Sequence, residues 1–233
     1  MSRIILITGT RKGIGKSIAE YYLLKNDTVI GCSRGKASIT NENYMHFTLD
    51  VKNEQAVIAM VRNIKKKFGR IDVLLNNAGI SSMNHFLTTP YSTVQDIFNT
   101  NFLGTFIVTR EVSKIMIKQQ LGRVVNFTTI AAAFRLEGEA IYAASKAAVE
   151  NMTQTIAKEL ASYGITVNAI GPTPVETDLI KAVPKEKIKK LLNRQTIKRF
   201  THVDDIKVVI DFFIDEKSDF ITGQIIYLGG VSN

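Results

Sequence analysis

Residues 3–15 read Arg3-Ile4-Ile5-Leu6-Ile7-Thr8-Gly9-Thr10-Arg11-Lys12-Gly13-Ile14-Gly15, and the rest of the chain is best understood outward from them. The apolar, β-branched run Arg3–Thr8 predicts a buried strand. Gly9, Gly13 and Gly15 follow at once, and helical spacing sets in over Gly13–Leu24. Between a strand and a helix, glycines let the backbone approach an anion, while the first N–H groups of the helix and its positive dipole end face that anion. Glycines also serve ordinary turns; it is the placement between the first strand and the first helix that gives these weight. The spacing Gly-x-x-x-Gly-x-Gly is wider than the six-residue dinucleotide fingerprint.

The same alternation continues to the C-terminal end. Short apolar runs predict strands at Thr28–Cys32, Tyr44–Leu49, Val73–Asn76, Arg123–Thr128, Thr166–Ile170 and Gln224–Leu228. Helical spacing predicts helices over Asn53–Phe68, Thr93–Lys118, Ala140–Ser162, Lys185–Asn193 and Val203–Ile214. Strands that are apolar nearly throughout and separated by helices imply an α/β fold, a doubly wound parallel sheet of Rossmann type covered on both faces. No composition break or internal repeat divides residues 1–233, so a single domain is expected. The irregular region from about residue 172 to 201 carries Pro172, Pro174 and Pro184 and is the expected substrate loop.

Composition narrows the function classes. Hydrophobic residues at 45% and charged residues at 22% fit a soluble globular chain, which needs no staple at 233 residues. Cys32 is the only cysteine, lies in an apolar run and reads as core. His46, His85 and His202 are scattered without metal-ligand spacing, so no metal site is expected. Arg3–Ile7 is too short for a signal core or a span, and no later segment approaches spanning length; the expected place is the cytoplasm, away from membranes. The net charge of +9 is spread over helix ends and faces such as Lys65-Lys66-Lys67, without a nucleic-acid recognition motif. A nucleic-acid partner is therefore not expected.

Further motifs appear in order. They are Leu49-Asp50-Val51, then Asp72-Val73-Leu74-Leu75-Asn76-Asn77-Ala78-Gly79, Asn101-Phe102-Leu103-Gly104, Tyr142-Ala143-Ala144-Ser145-Lys146, Val167-Asn168-Ala169-Ile170, Thr222-Gly223-Gln224 and Gly229-Gly230. Together with the glycine-rich turn they run in register from residue 3 to about residue 230, and on them the chain resembles the short-chain dehydrogenase/reductase family. The resemblance implies a nicotinamide cofactor. It places Gly9, Arg11, Lys12, Gly13, Ile14 and Gly15 at the pyrophosphate, Asp50 and Val51 at the adenine, and Asn77, Ala78 and Gly79 along the cofactor. It places Pro172, Val175 and Thr177 at the carboxamide and phosphates.

Cofactor choice has a physical argument of its own. An NAD enzyme usually carries a carboxylate at the end of the second strand, where it accepts from the ribose 2′-hydroxyl and repels a 2′-phosphate. Here that position reads Cys32-Ser33-Arg34-Gly35-Lys36, without an acid. Ser33 and Arg34 can hydrogen-bond a 2′-phosphate, with Lys12 beside it, so NADP(H) is the expected cofactor.

At the chemical end, Tyr142 and Lys146 are four residues apart, on one helix face. A free phenol has a pKa of about 10. The Lys146 ammonium and an oxidised nicotinamide would favour the phenolate and lower that value. By resemblance, Tyr142 is the acid, Lys146 also holds the nicotinamide ribose, and Asn101 holds a water leading to solvent. The family's usual serine, thirteen residues before the tyrosine, is Thr129 here. A threonine hydroxyl has the same bonding capacity, but its methyl narrows the pocket. Thr173 replaces a glycine after strand six, where it would reshape the mouth of the nicotinamide pocket; Leu228 replaces an acid before the last glycine pair.

The expected reaction is reduction of a small-molecule carbonyl to a secondary alcohol. The chain is most similar to the 3-oxoacyl reductase branch, which implies a thioester on acyl carrier protein or coenzyme A and a place in fatty acid biosynthesis. Sugars, steroids, quinones and small ketones are the alternative substrates, and a non-catalytic NADP(H) sensor is the alternative class. The pocket walls are expected from Ser81–Thr89, Ala131–Glu137 and Thr173–Phe200, with Met83, Phe86, Phe134, Leu136, Leu179, Ile180 and Val183 forming an apolar side. The carrier-docking arginines of relatives fall at Gln120 and Tyr163, with Lys118, Arg123 and Arg135 as the candidate substitutes. The resemblance also implies a homotetramer or homodimer, built on the helices of Asn101 and Tyr142 and on the last strand.

Overall fold

The computed structural model describes residues 2–175 and 185–231. Seven strands, β1 (Ile4–Thr8), β2 (Thr28–Ser33), β3 (Tyr44–Thr48), β4 (Val73–Asn76), β5 (Gly122–Phe127), β6 (Ile165–Gly171) and β7 (Ile225–Tyr227), form one sheet in the order β3-β2-β1-β4-β5-β6-β7. Every pairing is parallel. All seven strands fall where the sequence predicts them, with ends that differ by one residue.

Alternation along β1 explains the layers. Ile4 and Leu6 point to one face, where they pack with Val57, Met60 and Ile64 of α2 (Glu54–Phe68) and with Val108 and Val112 of α4 (Gly104–Gln119). Ile5 and Ile7 point to the other, against Ile18 and Tyr22 of α1 (Gly13–Leu24) and Ile206, Ile210 and Phe213 of α8 (Val203–Ile214). Each fully buried aliphatic side chain contributes about 1.5–3 kcal/mol. That two-sided burial is why the strands read as unbroken apolar runs.

Chain order reverses between β1 and β4, which are neighbours in the sheet. Sheets of this kind open a crevice beyond the carboxyl ends of their strands at such a point. The glycine-rich turn ends β1, Asn77-Ala78-Gly79 follows β4, and Thr128-Thr129 follows β5. These segments therefore meet at one edge of the sheet.

One helix differs from expectation. Thr93–Lys118 is not continuous: α3 (Tyr91–Phe98) passes through a π-helical segment, Asn99–Leu103, into α4. The cause lies at Asn101, whose side chain binds Ile80 and Ser145 rather than solvent. Gly104 lets α4 lie close to Val51, since a Cβ there would come within 2.7 Å of the valine methyl. A short helix, α5 (Ile130–Phe134), precedes α6 (Ala140–Leu160), and α7 (Lys185–Asn193) lies within the expected substrate loop. Among the described residues, no helix is long and apolar enough to cross a membrane.

Candidate active site

The glycine-rich turn is closed by hydrogen bonds. The backbone N–H groups of Gly9 and Thr10 donate to the Cys32 carbonyl at the end of β2. Asn77 donates from its side chain to the Thr8 carbonyl at 2.9 Å, and the Thr8 hydroxyl accepts from the Ala78 N–H at 2.9 Å. Gly9 and Gly13 have φ of +79° and +60°, the left-handed region that glycine tolerates. Gly15 is needed for room instead: a Cβ there would lie 2.4 Å from both the Gly9 carbonyl oxygen and the Asn77 amide.

This cradle fits a dinucleotide's phosphates. Lys12, the residue before helix α1, makes no side-chain cap, and the first turn of the helix carries no acid. Most helices satisfy those N–H groups with a Ser, Thr, Asp or Asn at that position. Arg11, Lys12, Arg34 and Lys36 are exposed around the turn, Ser33 and Ile14 are half-buried, and no acid occupies 32–36. Asp50 accepts from the Lys52 N–H at 3.0 Å, and Val51 is buried against α4. Cys32 is fully buried and its thiol is pushed up to about 12 by burial, in keeping with a core role.

The second cluster stands on β5, α6 and the π segment. Thr129 follows β5 and caps α5; its hydroxyl accepts from the Ala131 N–H at 3.2 Å and lies near the Tyr142 hydroxyl. Lys146, one turn along α6, is only 5% exposed, and its ammonium donates to the Phe127 carbonyl at 2.7 Å. Asn101 accepts from the Ile80 N–H at 2.9 Å, and its amide donates to the Ile80 carbonyl and to the Ser145 hydroxyl. Gly79 sits beside both: a Cβ on it would lie 3.3 Å from the Asn101 oxygen and 3.5 Å from the Lys146 nitrogen. Thr129, Tyr142, Lys146, Asn101 and Gly79 are thus brought to one place.

Burial, then the nearby Glu139 carboxylate, raises the Tyr142 hydroxyl to about 12, against a lowering by the Thr129 hydroxyl. The Lys146 nitrogen is turned to the Phe127 carbonyl. Burial lowers Lys146 itself to about 8, and the Glu150 carboxylate opposes the shift. Glu150 accepts from Tyr227 at 2.7 Å and from the Thr128 hydroxyl. Sequence reading missed Glu139, Ser145 and Glu150. Two of them carried a signal, since Glu139 lies three residues before Tyr142 and Glu150 four after Lys146, hence on the same helix face.

Beneath the site runs a buried polar chain. Asn76 donates to Thr109 and to Asn126, each at 2.8 Å, and Asn126 donates to Thr153 at 2.8 Å. It ties β4 and β5 to α4 and α6 and sets the register of the strand ends that carry the chemistry.

One expectation needs correction. Arg123 is not available for carrier docking: it is 5% exposed, and its guanidinium donates to the Gly122 and Gly164 carbonyls. Lys118 and Arg135 are exposed. Thr173 is buried, with its hydroxyl against Thr201 and its methyl against Gly229. A cavity of about 270 Å³ lies beside it, lined by Gln195, Phe200 and Leu228 but not by Tyr142 or Lys146. Pro172 and buried Val175 follow β6 as expected, whereas Thr177, Leu179, Ile180 and Val183 lie outside the described residues. His85 caps a short exposed turn, and His46 faces the β2 end.

The fold and this site define a dinucleotide-binding α/β protein with a tyrosine–lysine pair at the carboxyl edge of its sheet. Residues 3–188 match the family model for short chain dehydrogenase, and the chain belongs to that family of oxidoreductases. It is similar to the 3-oxoacyl-[acyl-carrier-protein] reductase of Staphylococcus epidermidis, with 33% identity over 99% of this chain and 98% of that one. Its structure is similar to that of ElxO with NADP bound, with a TM-score of 0.90 at 32% identity, covering 99% of this chain and 98% of that one. It is also similar to the aldohexose dehydrogenase of Thermoplasma acidophilum, with a TM-score of 0.89 at 26% identity, covering 98% and 93%.

Proposed function

We propose that this chain is an NADP(H)-dependent reductase that converts a carbonyl to a secondary alcohol, and that its substrate is a 3-oxoacyl thioester. The observation that carries the reading is the convergence of Thr129, Tyr142 and Lys146 beside Asn101 and Gly79, with the Lys146 ammonium buried one helical turn beyond Tyr142. The basic, acid-free turn at residues 33–36 supports NADP(H), as does ElxO with NADP bound. The reductase from S. epidermidis supports the thioester.

The dihydronicotinamide, when bound, supplies the hydride. Thr129 donates to the substrate oxygen and fixes it beside Tyr142. As negative charge develops on that oxygen, Tyr142 transfers its proton there, completing the alcohol. The phenolate left behind is stabilised by the Lys146 ammonium, which has only to turn from the Phe127 carbonyl. Asn101 orders the Ile80 backbone at the same place and keeps α6 in register through Ser145. Gly9, Arg11, Lys12, Gly13, Ile14 and Gly15 hold the pyrophosphate, with Ser33 and Arg34 at the 2′-phosphate and Asp50 and Val51 at the adenine. Asn77, Ala78 and Gly79 lie along the cofactor, with Pro172, Val175 and Thr177 at the carboxamide and phosphates.

Leu103 at the end of the π segment, Phe106 on α4, Phe212 on α8 and Phe220 before β7 are exposed apolar groups that support a homo-oligomer. A single-domain, cytoplasmic enzyme acting in fatty acid biosynthesis completes the reading. A second substrate class, a hydroxylated small carbonyl, is favoured by the Glu139 carboxylate beside Tyr142, a hydrogen-bond acceptor inside an otherwise apolar wall. The test is turnover with NADPH and NADH across acetoacetyl-CoA, its acyl-carrier equivalent and a sugar panel. Acetoacetyl-CoA turnover that prefers NADPH is the expected result. Sugar turnover alone would replace the thioester reading, and tight NADPH binding with no turnover would favour a sensor.

A further inference from the structure

The turn that ends β2 carries Arg34, and the groups holding that turn come from an unexpected place. The Ser33 hydroxyl donates to the Gly35 carbonyl at 2.9 Å. On β3, the Nε2 atom of His46 lies 3.0 Å from the same carbonyl and 3.2 Å from the Ser33 oxygen. Its Nδ1 atom lies 2.8 Å from the Tyr44 hydroxyl, which in turn lies 2.8 Å from the Thr10 hydroxyl in the glycine-rich turn. The chain of contacts therefore joins the pyrophosphate turn to the 2′-phosphate turn.

The protons can be assigned by elimination. A carbonyl only accepts, so Nε2 must carry the hydrogen that faces Gly35. In the neutral ring Nδ1 then accepts, and Tyr44 donates to it. Burial pushes the Tyr44 phenol up, which keeps that proton in place. The Tyr44 oxygen is left to accept from Thr10, and every link is satisfied by one tautomer. Gly31 makes room for the arrangement. It stands opposite His46 in the parallel register, and a Cβ on it would come within 2.1 Å of the Tyr44 oxygen and 2.3 Å of the Thr10 oxygen. A glycine inside a buried strand marks such a close approach.

We infer that His46 is a positioning residue for recognition of the cofactor's 2′-phosphate: it holds the Gly35 carbonyl, and so frees the Ser33 hydroxyl to turn to the phosphate. This rests on the reading of Ser33 and Arg34 as the 2′-phosphate contacts. A carbonyl oxygen has two lone pairs, and here Ser33 and His46 occupy both. When Ser33 leaves, His46 still satisfies Gly35, so this half-buried acceptor is not orphaned by binding. The turn keeps its shape, and Arg34 keeps its direction. Arg11 packs over the same glycine, where a Cβ on Gly35 would meet its side chain at 2.7 Å, so the turn presents two guanidinium groups rather than one.

The experiment measures the affinities of NADPH, NADH and adenosine 2′,5′-bisphosphate for the intact protein and its variants. His46→Leu should weaken NADPH and the bisphosphate by about tenfold while NADH stays within about twofold, since only phosphate recognition is touched. Its kcat at saturating NADPH should stay near wild type. His46→Gln, whose amide can reach the Gly35 carbonyl, should recover most of the loss. Tyr44→Phe, which keeps the ring but removes its partner, should show a smaller loss of the same kind. Equal weakening of NADPH and NADH by His46→Leu, or no change in either, would overturn the inference. Arg34→Asp separates it from the reading beneath it. If Arg34→Asp reverses the cofactor preference while His46→Leu leaves it at wild type, the positioning role alone falls. If Arg34→Asp keeps the NADPH preference, the 2′-phosphate reading falls and takes the inference with it.

Discussion

Lys146 is 5% exposed and held by a strand carbonyl, whereas Phe86 and Leu87, on an expected wall of the same cleft, are 70% and 82% exposed. Tyr142, Lys146, Asn101 and Thr129 stand on or directly beside β5, α6 and the π segment, braced by the Asn76–Asn126 chain. The substrate walls come from loops, joined by contacts such as the Asn84 N–H donating to the Gly138 carbonyl and the Arg194 guanidinium lying over the Phe134 ring. Reaction chemistry tolerates little displacement of its groups, so it is built on rigid elements; selectivity changes with side chains that no sheet restrains. The first region therefore tells what reaction is run, and the second tells on what.

If that division holds, changes in the rigid cluster should reduce rate for every substrate, and changes in the walls should reorder substrates. The largest effect is expected for Lys146→Met: a fall in kcat of roughly a hundredfold or more on all carbonyls. In the unaltered enzyme, NADPH-dependent reduction should decline as pH rises through about 8, where buried Lys146 loses its charge. A steady rate well above that pH would separate Lys146 from the chemistry.

Thr129→Val should come next. Loss of one hydrogen bond to developing charge costs about 1.5–3 kcal/mol, hence about tenfold or more in kcat/KM. Thr129→Ser should keep activity and accept bulkier ketones, because only the methyl is gone. Full turnover by Thr129→Val would remove this residue from the cluster.

The smallest effect lies at the border of the two regions. Glu139 raises Tyr142, so Glu139→Gln should lower the tyrosine's pKa. Alcohol oxidation needs the phenolate, and its rising limb should move to lower pH in this variant. A pH–rate profile that stays fixed or moves upward would show that Glu139 acts only as a wall.

Much of this was legible in the sequence, for definite reasons. Strands buried on two faces, such as β1 and β4, leave unbroken apolar runs, and the half-buried edge strands β3 and β7 were found as well. Tyr142 and Lys146 could be read only because they stand in register with the other motifs of the family, and the turn around Gly9, Gly13 and Gly15 by its place after β1. The break in the helix near Asn101 was not legible, because the partner of that asparagine is the Ile80 backbone, 21 residues away in the chain. Arg123 was misread because a cation in sequence looks like a surface group, and only the fold supplies the carbonyls that bury it. The His46–Tyr44 link could be placed on one strand face by its period of two, but its contacts with Thr10 and Gly35 needed the sheet order.

The central claim is that Tyr142 gives the proton in an NADPH-dependent reduction. Its most direct test follows dihydronicotinamide consumption with acetoacetyl-CoA in the unaltered protein and in Tyr142→Phe, together with NADPH affinity for both. The account predicts turnover that falls about a hundredfold or more in the variant while NADPH affinity stays within about threefold. Turnover at the unaltered rate in Tyr142→Phe would contradict it.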